Sequence, residues 1–358
     1  MTKKKALIAM SGGVDSSVAA YLTQKAGYEI MGVNMHLFDG NRRNQDNEKS
    51  CCSVKDTLCA NSVAERLGFP FHVWDYTAQF KEMVINNFIK AYETGRTPNP
   101  CIDCNRYLKF SALYDRAEQL GMDCIVTGHY SLIDRDEESG LYRLHKAVDP
   151  SKDQSYVLYN LTQKQLAHTF FPLGGMTKEE TRRIADEMGF INARKPDSQD
   201  ICFVPDGDYS RFISEETGKE YPHGDFVDEE GNVLGEHKGI IRYTIGQRKG
   251  LGLALPQPMY VKEKDVANNR VVLCAHEHLF TREFDAMDFN WISGKVPEEP
   301  ICVNARVRYN QQEKPATVTP VGTDSVHVCF DEPMRAITRG QAVVLYDGDL
   351  VVGGGTIA

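Results

Sequence analysis

Residues 6–18 read Ala-Leu-Ile-Ala-Met-Ser-Gly-Gly-Val-Asp-Ser-Ser-Val, a short apolar run of the length of a buried strand that turns through Ser11-Gly12-Gly13-Val14-Asp15-Ser16-Ser17 into a helix. Two consecutive glycines let the backbone turn sharply and bring successive N–H groups against a polyphosphate. The hydroxyls of Ser11, Ser16 and Ser17 add donors, and the following helix points the positive end of its dipole at the anion. A Walker loop would need a Lys after its last Gly, and a dinucleotide-binding turn would need Gly-x-Gly-x-x-Gly; the stretch has neither. The alternative is an ordinary strand-to-helix turn whose Gly and Ser merely cap the helix. It would leave the strand, the double Gly and the flanking serines as coincidence. The stretch points to ATP, and by itself says nothing about a second substrate.

Outward from this loop, residues 28–38, 69–76 and 123–128 read as further strands, and helical patterns occupy 14–26, 54–67, 77–94 and 106–120. In 77–94, Phe80, Val84 and Phe88, then Ile85, Ile89 and Tyr92, recur at helical spacing. Alternating strands and helices predict an α/β fold with a doubly wound parallel sheet and its ligand at the carboxyl ends of the strands. A further helix at 176–189 opens on a capping box, Thr177 with Glu180, and stops at Gly189. Beyond about residue 205 the texture changes to short β-prone runs at 239–245, 258–263, 270–274, 302–310, 315–320, 325–330 and 342–353. Turn-rich residues 206–236 read as a linker, and 39–50 are polar enough for a mobile loop. The division expected is an α/β domain over 1–205, a small central β-rich domain over 206–280 and a C-terminal β-barrel over 281–358.

A chain of 358 residues is too long for one ordinary core, and 41% hydrophobic with 25% charged residues describes a globular protein. Met1-Thr2-Lys3-Lys4-Lys5 begins like a signal peptide, but the apolar stretch after it breaks at Ser11-Gly12-Gly13. No segment approaches the ~20 apolar residues of a membrane span, so the expectation is a cytoplasmic protein with no membrane partner. Ten cysteines then argue for free, metal-binding or catalytic thiols rather than a disulfide framework. A net charge of −9 means that any nucleic-acid surface must be a local patch.

Asn99-Pro100-Cys101-Ile102-Asp103-Cys104-Asn105 sets a Cys-x-x-Cys at a helix start, where backbone N–H groups and the dipole favour a thiolate. Cys202 stands in Pro196-Asp197-Ser198-Gln199-Asp200-Ile201-Cys202-Phe203, outside any amphipathic pattern. A thiol pair plus one distant Cys suggests sulfur transfer or three-point ligation of an iron–sulfur cluster. A structural zinc knuckle would want a second close pair, which Cys51, Cys52 and Cys59 supply only by long-range folding. Cys124, Cys274, Cys302 and Cys329 read as small buried hydrophobes. His129 follows Val126-Thr127-Gly128 at a strand end, where such sheets bind ligands, or is a satisfied polar residue. His36, His72, His145, His168, His223, His276 and His278 read as structural.

Seven motifs occur in order along nearly the whole chain. They are Ser11–Ser17; Asn99-Pro100 with Cys104-Asn105 and Lys109-Phe110; Thr127-Gly128-His129-Tyr130; Lys152-Asp153-Gln154-Ser155-Tyr156; Asp197-Ser198 with Ile201-Cys202-Phe203; Thr244-Ile245-Gly246-Gln247-Arg248-Lys249-Gly250-Leu251-Gly252; and Phe330-Asp331-Glu332-Pro333. Together they resemble the bacterial tRNA-specific 2-thiouridylases, PP-loop ATPases that place sulfur on C2 of the wobble uridine. The resemblance implies a PP-loop (adenine nucleotide alpha hydrolase-like) domain, a small central domain and a C-terminal barrel. It implies ATP, with Mg2+, against Ala9, Met10, Ser11, Gly12, Gly13, Val14, Asp15 and Ser16, with Met35 and Gly128 at the adenosine.

By the same resemblance Cys202 carries a persulfide supplied by a cysteine desulfurase or a sulfur-relay protein, Cys104 is its partner nucleophile, and a Cys104–Cys202 disulfide follows turnover. Asn99, Pro100 and Cys101 face the target base. Lys152, Asp153, Gln154, His129, Arg308, Tyr309 and Gln341 touch the tRNA, one of those for Lys, Glu or Gln. Arg306, Arg308, Tyr309, Arg335 and Arg339 supply a local basic patch, the alternative being a solvated barrel face. Some family members carry Asp at the position of Cys101; with three thiols present, Cys101, Cys104 and Cys202 form a possible ligand set for a [4Fe–4S] cluster. Competing readings are another PP-loop adenylating enzyme, which would not need Cys104 and Cys202, and a non-enzymatic RNA-binding barrel with a regulatory nucleotide site.

Overall fold

The computed structural model describes residues 3–38, 54–197 and 201–358. The polar stretch 39–50, Cys51, Cys52 and Ser198 therefore lie outside the described residues. The opening apolar run forms the strand Lys5–Ala9, whose Ala6, Leu7 and Ile8 have no solvent exposure. It is central in a five-stranded parallel sheet, flanked by Glu29–His36 and then Phe71–Asp75 on one side, and by Cys124–Val126 and then Thr169–Phe170 on the other. A strand buried on both faces is what an uninterrupted apolar run specifies. The helices Val14–Lys25 and Val54–Leu67 follow their strands, as expected for a doubly wound sheet.

Two helices depart from the expected bounds. The helix over 77–93 carries one π-helical turn, Lys81–Ile85. The helix expected at 106–120 begins at Pro100 and runs through a longer π segment, Cys104–Ala112, to Gln119. Asn99 caps it, its side chain accepting from the Cys101 N–H, and Pro100 takes the first-turn position where a missing N–H costs nothing. The capping box on Lys178–Glu187 forms with both of its bonds.

The region 206–236 is more ordered than a linker: Asp208 caps the helix Tyr209–Thr217, and Gly224–Val227 and Val233–His237 are strands. They join Arg270–Cys274 and Tyr260–Asp265 in a four-stranded sheet. The expected strand at 239–245 is instead a 3₁₀ turn, Ile240–Arg242. The C-terminal strands close into a six-stranded barrel, in which Phe280–Trp291 pairs with both Ser325–Arg335 and Leu350–Ile357. A hairpin of the first domain, Leu132–Arg135 with Tyr142–His145, extends the barrel sheet through the Leu350–His145 pairing. Cys274 is buried as expected, but Cys302 is exposed, because it points outward on a barrel strand whose inward face is taken by Ala305 and its neighbours. No helix among the described residues is long and apolar enough to cross a membrane.

Candidate active site

At the carboxyl end of the first strand, Met10 N–H bonds to the Val33 carbonyl, and the amide of Asn34 donates to the Met10 carbonyl at 2.7 Å. The loop that follows is packed closely at Gly12 and on the side that faces Gly128. Gly12 has φ +76°, and a Cβ there would stand 2.2 Å from the Asp56 carbonyl oxygen. Gly128, after the Cys124–Val126 strand, lies against the loop's far side, where a Cβ would meet the Ser16 nitrogen at 2.7 Å. Gly13 is the N-cap of Val14–Lys25, and the Ser16 and Ser17 hydroxyls both donate to its carbonyl, at 3.0 and 3.1 Å. Ser11 is exposed, and Met35 is buried near the carboxyl end of the neighbouring strand Glu29–His36. Thus Ala9 to Ser16, Met35 and Gly128 gather at one end of the sheet, the end where such folds bind ligands.

The loop is held by a segment that the sequence reading passed over. Asn192, buried, donates to the Gly12 carbonyl at 3.0 Å and to the Ser17 hydroxyl at 2.9 Å, while its Oδ1 has no partner among the described residues. Lys195 pairs with Asp56. Asp197 accepts from Lys178 at 2.7 Å and Arg182 at 2.9 Å through one oxygen and from Lys152 at 2.8 Å through the other. Lys178 Nζ also lies 2.6 Å from Asp15, which accepts from the Tyr130 hydroxyl at 2.9 Å. Burial pushes the Asp197 carboxyl up, but the lysine hydrogen bonds outweigh it and hold the group below the usual carboxylate range. Of these cations the sequence had marked only Lys152, in the motif Lys152-Asp153-Gln154-Ser155-Tyr156; nothing local marked Lys178 or Arg182.

Cys101 is exposed in the first turn of its helix; Cys104 and Cys202 are half-buried and border one apolar cluster. That cluster is anchored beside Cys202 by Phe203, whose ring meets Phe80, Phe88 and Phe212 at 5.7, 5.2 and 5.1 Å. Among the described residues the implied Cys104–Cys202 disulfide is not formed. Asp103, between the two helix cysteines, is pushed up to about 7 by burial; Arg106 opposes the shift and Asp288 adds to it. Arg106 makes a two-pronged pair with Asp288 of the barrel, one arm at 2.9 Å. Among the described residues no three His, Cys, Asp or Glu side chains converge on a point that could hold a metal ion. Cys101, Cys104 and Cys202 form no such group, so no step is routed through a cluster. A magnesium ion accompanying ATP would be held largely by phosphate oxygens and water, and Asp15 is the loop carboxylate that could join them.

The tRNA candidates fall into two sets. Asn99 to Cys101, Asp153, Tyr309 and Gln341 meet at the seam between the first domain and the barrel: Gln341 donates to the Thr97 and Pro98 carbonyls at 2.8 and 3.2 Å, and the Tyr309 hydroxyl to the Asp153 carbonyl at 3.1 Å. The others are engaged elsewhere. Lys152 is on Asp197, Gln154 accepts from Tyr130 N–H at 3.0 Å, and Arg308 donates to Ile245 and Ala336 carbonyls and to Thr338. His129 is 7% exposed, bonded to the Thr127 hydroxyl at 2.6 Å and lodged between Phe110 and Phe171. Burial pulls its basicity well below the ordinary range. The expected basic patch is likewise divided: Arg306 lies over Tyr346 and 3.7 Å from Asp153, and Arg335 bonds to the Gly246 carbonyl.

Three family models match consecutive parts of the chain. They are described as tRNA methyl transferase HUP domain over residues 4–206, tRNA methyl transferase PRC-barrel domain over 210–275, and Aminomethyltransferase beta-barrel domain over 281–357. Relatives named tRNA-specific 2-thiouridylase MnmA align end to end. The protein of Clostridioides difficile (strain 630) is 50% identical, over 99% of this chain and 98% of its own. That of Acetivibrio thermocellus is 49% identical over the whole of both chains, and that of Geotalea uraniireducens (strain Rf4) is 48% identical over 99% of this chain and 95% of its own.

Proposed function

Since the chain belongs to the family of tRNA-specific 2-thiouridylases and is a tRNA sulfurtransferase, we propose that it thiolates C2 of the wobble uridine in two stages, the first of which consumes ATP. In the first, the uridine O2 attacks the α-phosphate of ATP and pyrophosphate leaves, so that the base oxygen departs later as AMP rather than as a poor leaving group. In the second, the terminal sulfur of a Cys202 persulfide attacks C2 and AMP is expelled. Cys104 then attacks the Cys202 sulfur, freeing the thiouridine and forming a disulfide that an external thiol reduces.

The observation that carries this reading is the segment 192–197. It is bonded to the phosphate loop directly by Asn192 and indirectly by Asp197, through Lys178 to Asp15, while Lys195 pairs with Asp56 beside Gly12, and it leads in sequence to Cys202. A sulfur carrier and a phosphate loop tied to one stretch of chain suit successive adenylation and sulfur transfer. The seam of Asn99 to Cys101, Tyr309 and Gln341 is the proposed surface for the target base and the anticodon strand, the substrates being tRNAs for Lys, Glu or Gln. A cysteine desulfurase or a relay protein would load Cys202. The domains we propose are 1–205 for the PP-loop domain, 206–280 for the central domain and 281–358 for the barrel.

The test is the mass of the wobble uridine in tRNA incubated with the full chain, ATP and a persulfide source. Replacement of oxygen by sulfur, dependent on both ATP and Cys202 and insensitive to an iron chelator, is expected. Turnover lost on chelation, or retained in the double variant Cys104→Ser, Cys202→Ser, would overturn the persulfide route.

A further inference from the structure

Three cations converging on one carboxylate is an unusual arrangement beside a phosphate loop. Lys178, Arg182 and Lys152 all bond to Asp197, and Lys178 in addition reaches Asp15 in the first turn of the helix that the loop opens. Lys178 is only 8% exposed, so its charge was taken out of water and needs an anion. Lys178 and Arg182 are four residues apart on one helix, which brings both heads to the same face. The three cations face the carboxylates of Asp197 and Asp15, and Asp149, which accepts from the Lys178 backbone N–H at 3.0 Å, lies near Lys152, so an anion arriving there must displace a carboxylate.

We propose that Lys178, Arg182 and Lys152 form a seat for an oligophosphate group, the class to which the outer phosphates of ATP and free pyrophosphate belong, and that Asp197 is the counter-ion this ligand displaces. The proposal rests on the nucleotide reading above and adds to it the residues that receive the leaving group. An oligophosphate offers several charged oxygens where Asp197 offers two, and it satisfies guanidinium and ammonium donors in more than one direction. Asn192 bonds to the same loop, with a buried Oδ1 that lacks a partner among the described residues. Asp197 precedes Cys202 by five residues in sequence, so the exchange falls on the stretch of chain that carries the sulfur.

The experiment titrates sodium pyrophosphate and AMP separately, in magnesium buffer, into the full chain and its Asp197→Asn and Arg182→Gln variants, with thermal melting as a folding control. Lys152 is left intact because it is a candidate tRNA contact. Removing the competing charge should tighten pyrophosphate by about tenfold in Asp197→Asn, and losing a charged donor should weaken it by about tenfold in Arg182→Gln, with AMP unchanged in both. Pyrophosphate affinity unchanged or weakened in Asp197→Asn overturns the seat. So does parallel weakening of AMP and pyrophosphate, the mark of an Asp197 that only braces the loop. Should Asp197→Asn fail to fold, an unchanged pyrophosphate affinity in Arg182→Gln overturns it alone. AMP binding with pyrophosphate indifferent to both variants defeats the seat and spares the nucleotide site; the reverse pattern defeats the nucleotide site and spares the seat.

Discussion

Gly12 sits where no other residue type fits: its φ of +76° excludes most side chains, and a Cβ would overlap the Asp56 carbonyl at 2.2 Å. Gly12→Ala should therefore lower stability by about 1–3 kcal/mol or more and abolish ATP binding, read by denaturant midpoint and nucleotide titration. A normal midpoint with normal nucleotide affinity would remove the loop from the site. Cys202→Ser should abolish thiolation while tRNA affinity is kept, because sulfur transfer needs a thiolate and phosphate contacts do not. Cys302→Ser, on the exposed outer wall of the barrel, should thiolate normally. Equal behaviour of the two variants would end the division between catalytic and incidental cysteines. His129 shows what position alone conceals: a histidine at the right strand end is enclosed by Phe110 and Phe171.

At the scale of elements, the strand Tyr260–Asp265 meets the end of the 77–93 helix through Lys264, which lies over the Tyr92 ring and 3.4 Å from the Arg96 carbonyl. Burial pulls the Lys264 ammonium down to about 8 from 10.5. Between these values the unfolded chain holds the proton and the native chain does not, so this group's contribution to stability rises with pH across that window and is most unfavourable below about 8. Lys264→Met should then be more stable than the parent at neutral pH by up to about 3 kcal/mol, and the advantage should shrink toward pH 10.5. Urea denaturation of both proteins over that range checks it; a pH-independent difference would mean that packing, not charge, governs the position. The helix bearing Cys101 and Cys104 started earlier than its apolar pattern because Asn99 and Pro100 supply cap and first turn, signals independent of hydrophobic periodicity.

In the whole molecule, the barrel braces the first domain through Gln341 on 97–98 and Arg106 on Asp288, and braces the central domain through Arg308 on Ile245. Burial, with Arg335 nearby, disfavours the Arg308 charge, yet all three acceptors of its Nη2 belong to this chain. Arg308→Ala should lower the melting temperature and weaken tRNA binding through misplacement of the domains, leaving the slope of log affinity against log salt unchanged. A slope reduced by about one unit would instead make Arg308 a direct phosphate contact.

The sequence by itself determined the parallel sheet, the phosphate loop and the order of the three regions. Each rests on information local in the chain: an apolar run, a double glycine, the spacing of turns. It also marked Cys101 and Cys104 as a Cys-x-x-Cys at a helix start and Cys202 as a cysteine outside any amphipathic pattern, while the pairing of Cys104 with Cys202 came from the family resemblance. Tertiary structure alone decided which charges are available. Lys178, Arg182 and Lys152 converge on Asp197 from separate parts of the chain, and Arg308 is spent on a domain junction. Ion pairs form between residues that are neighbours only after folding, and no local pattern of residue types records them.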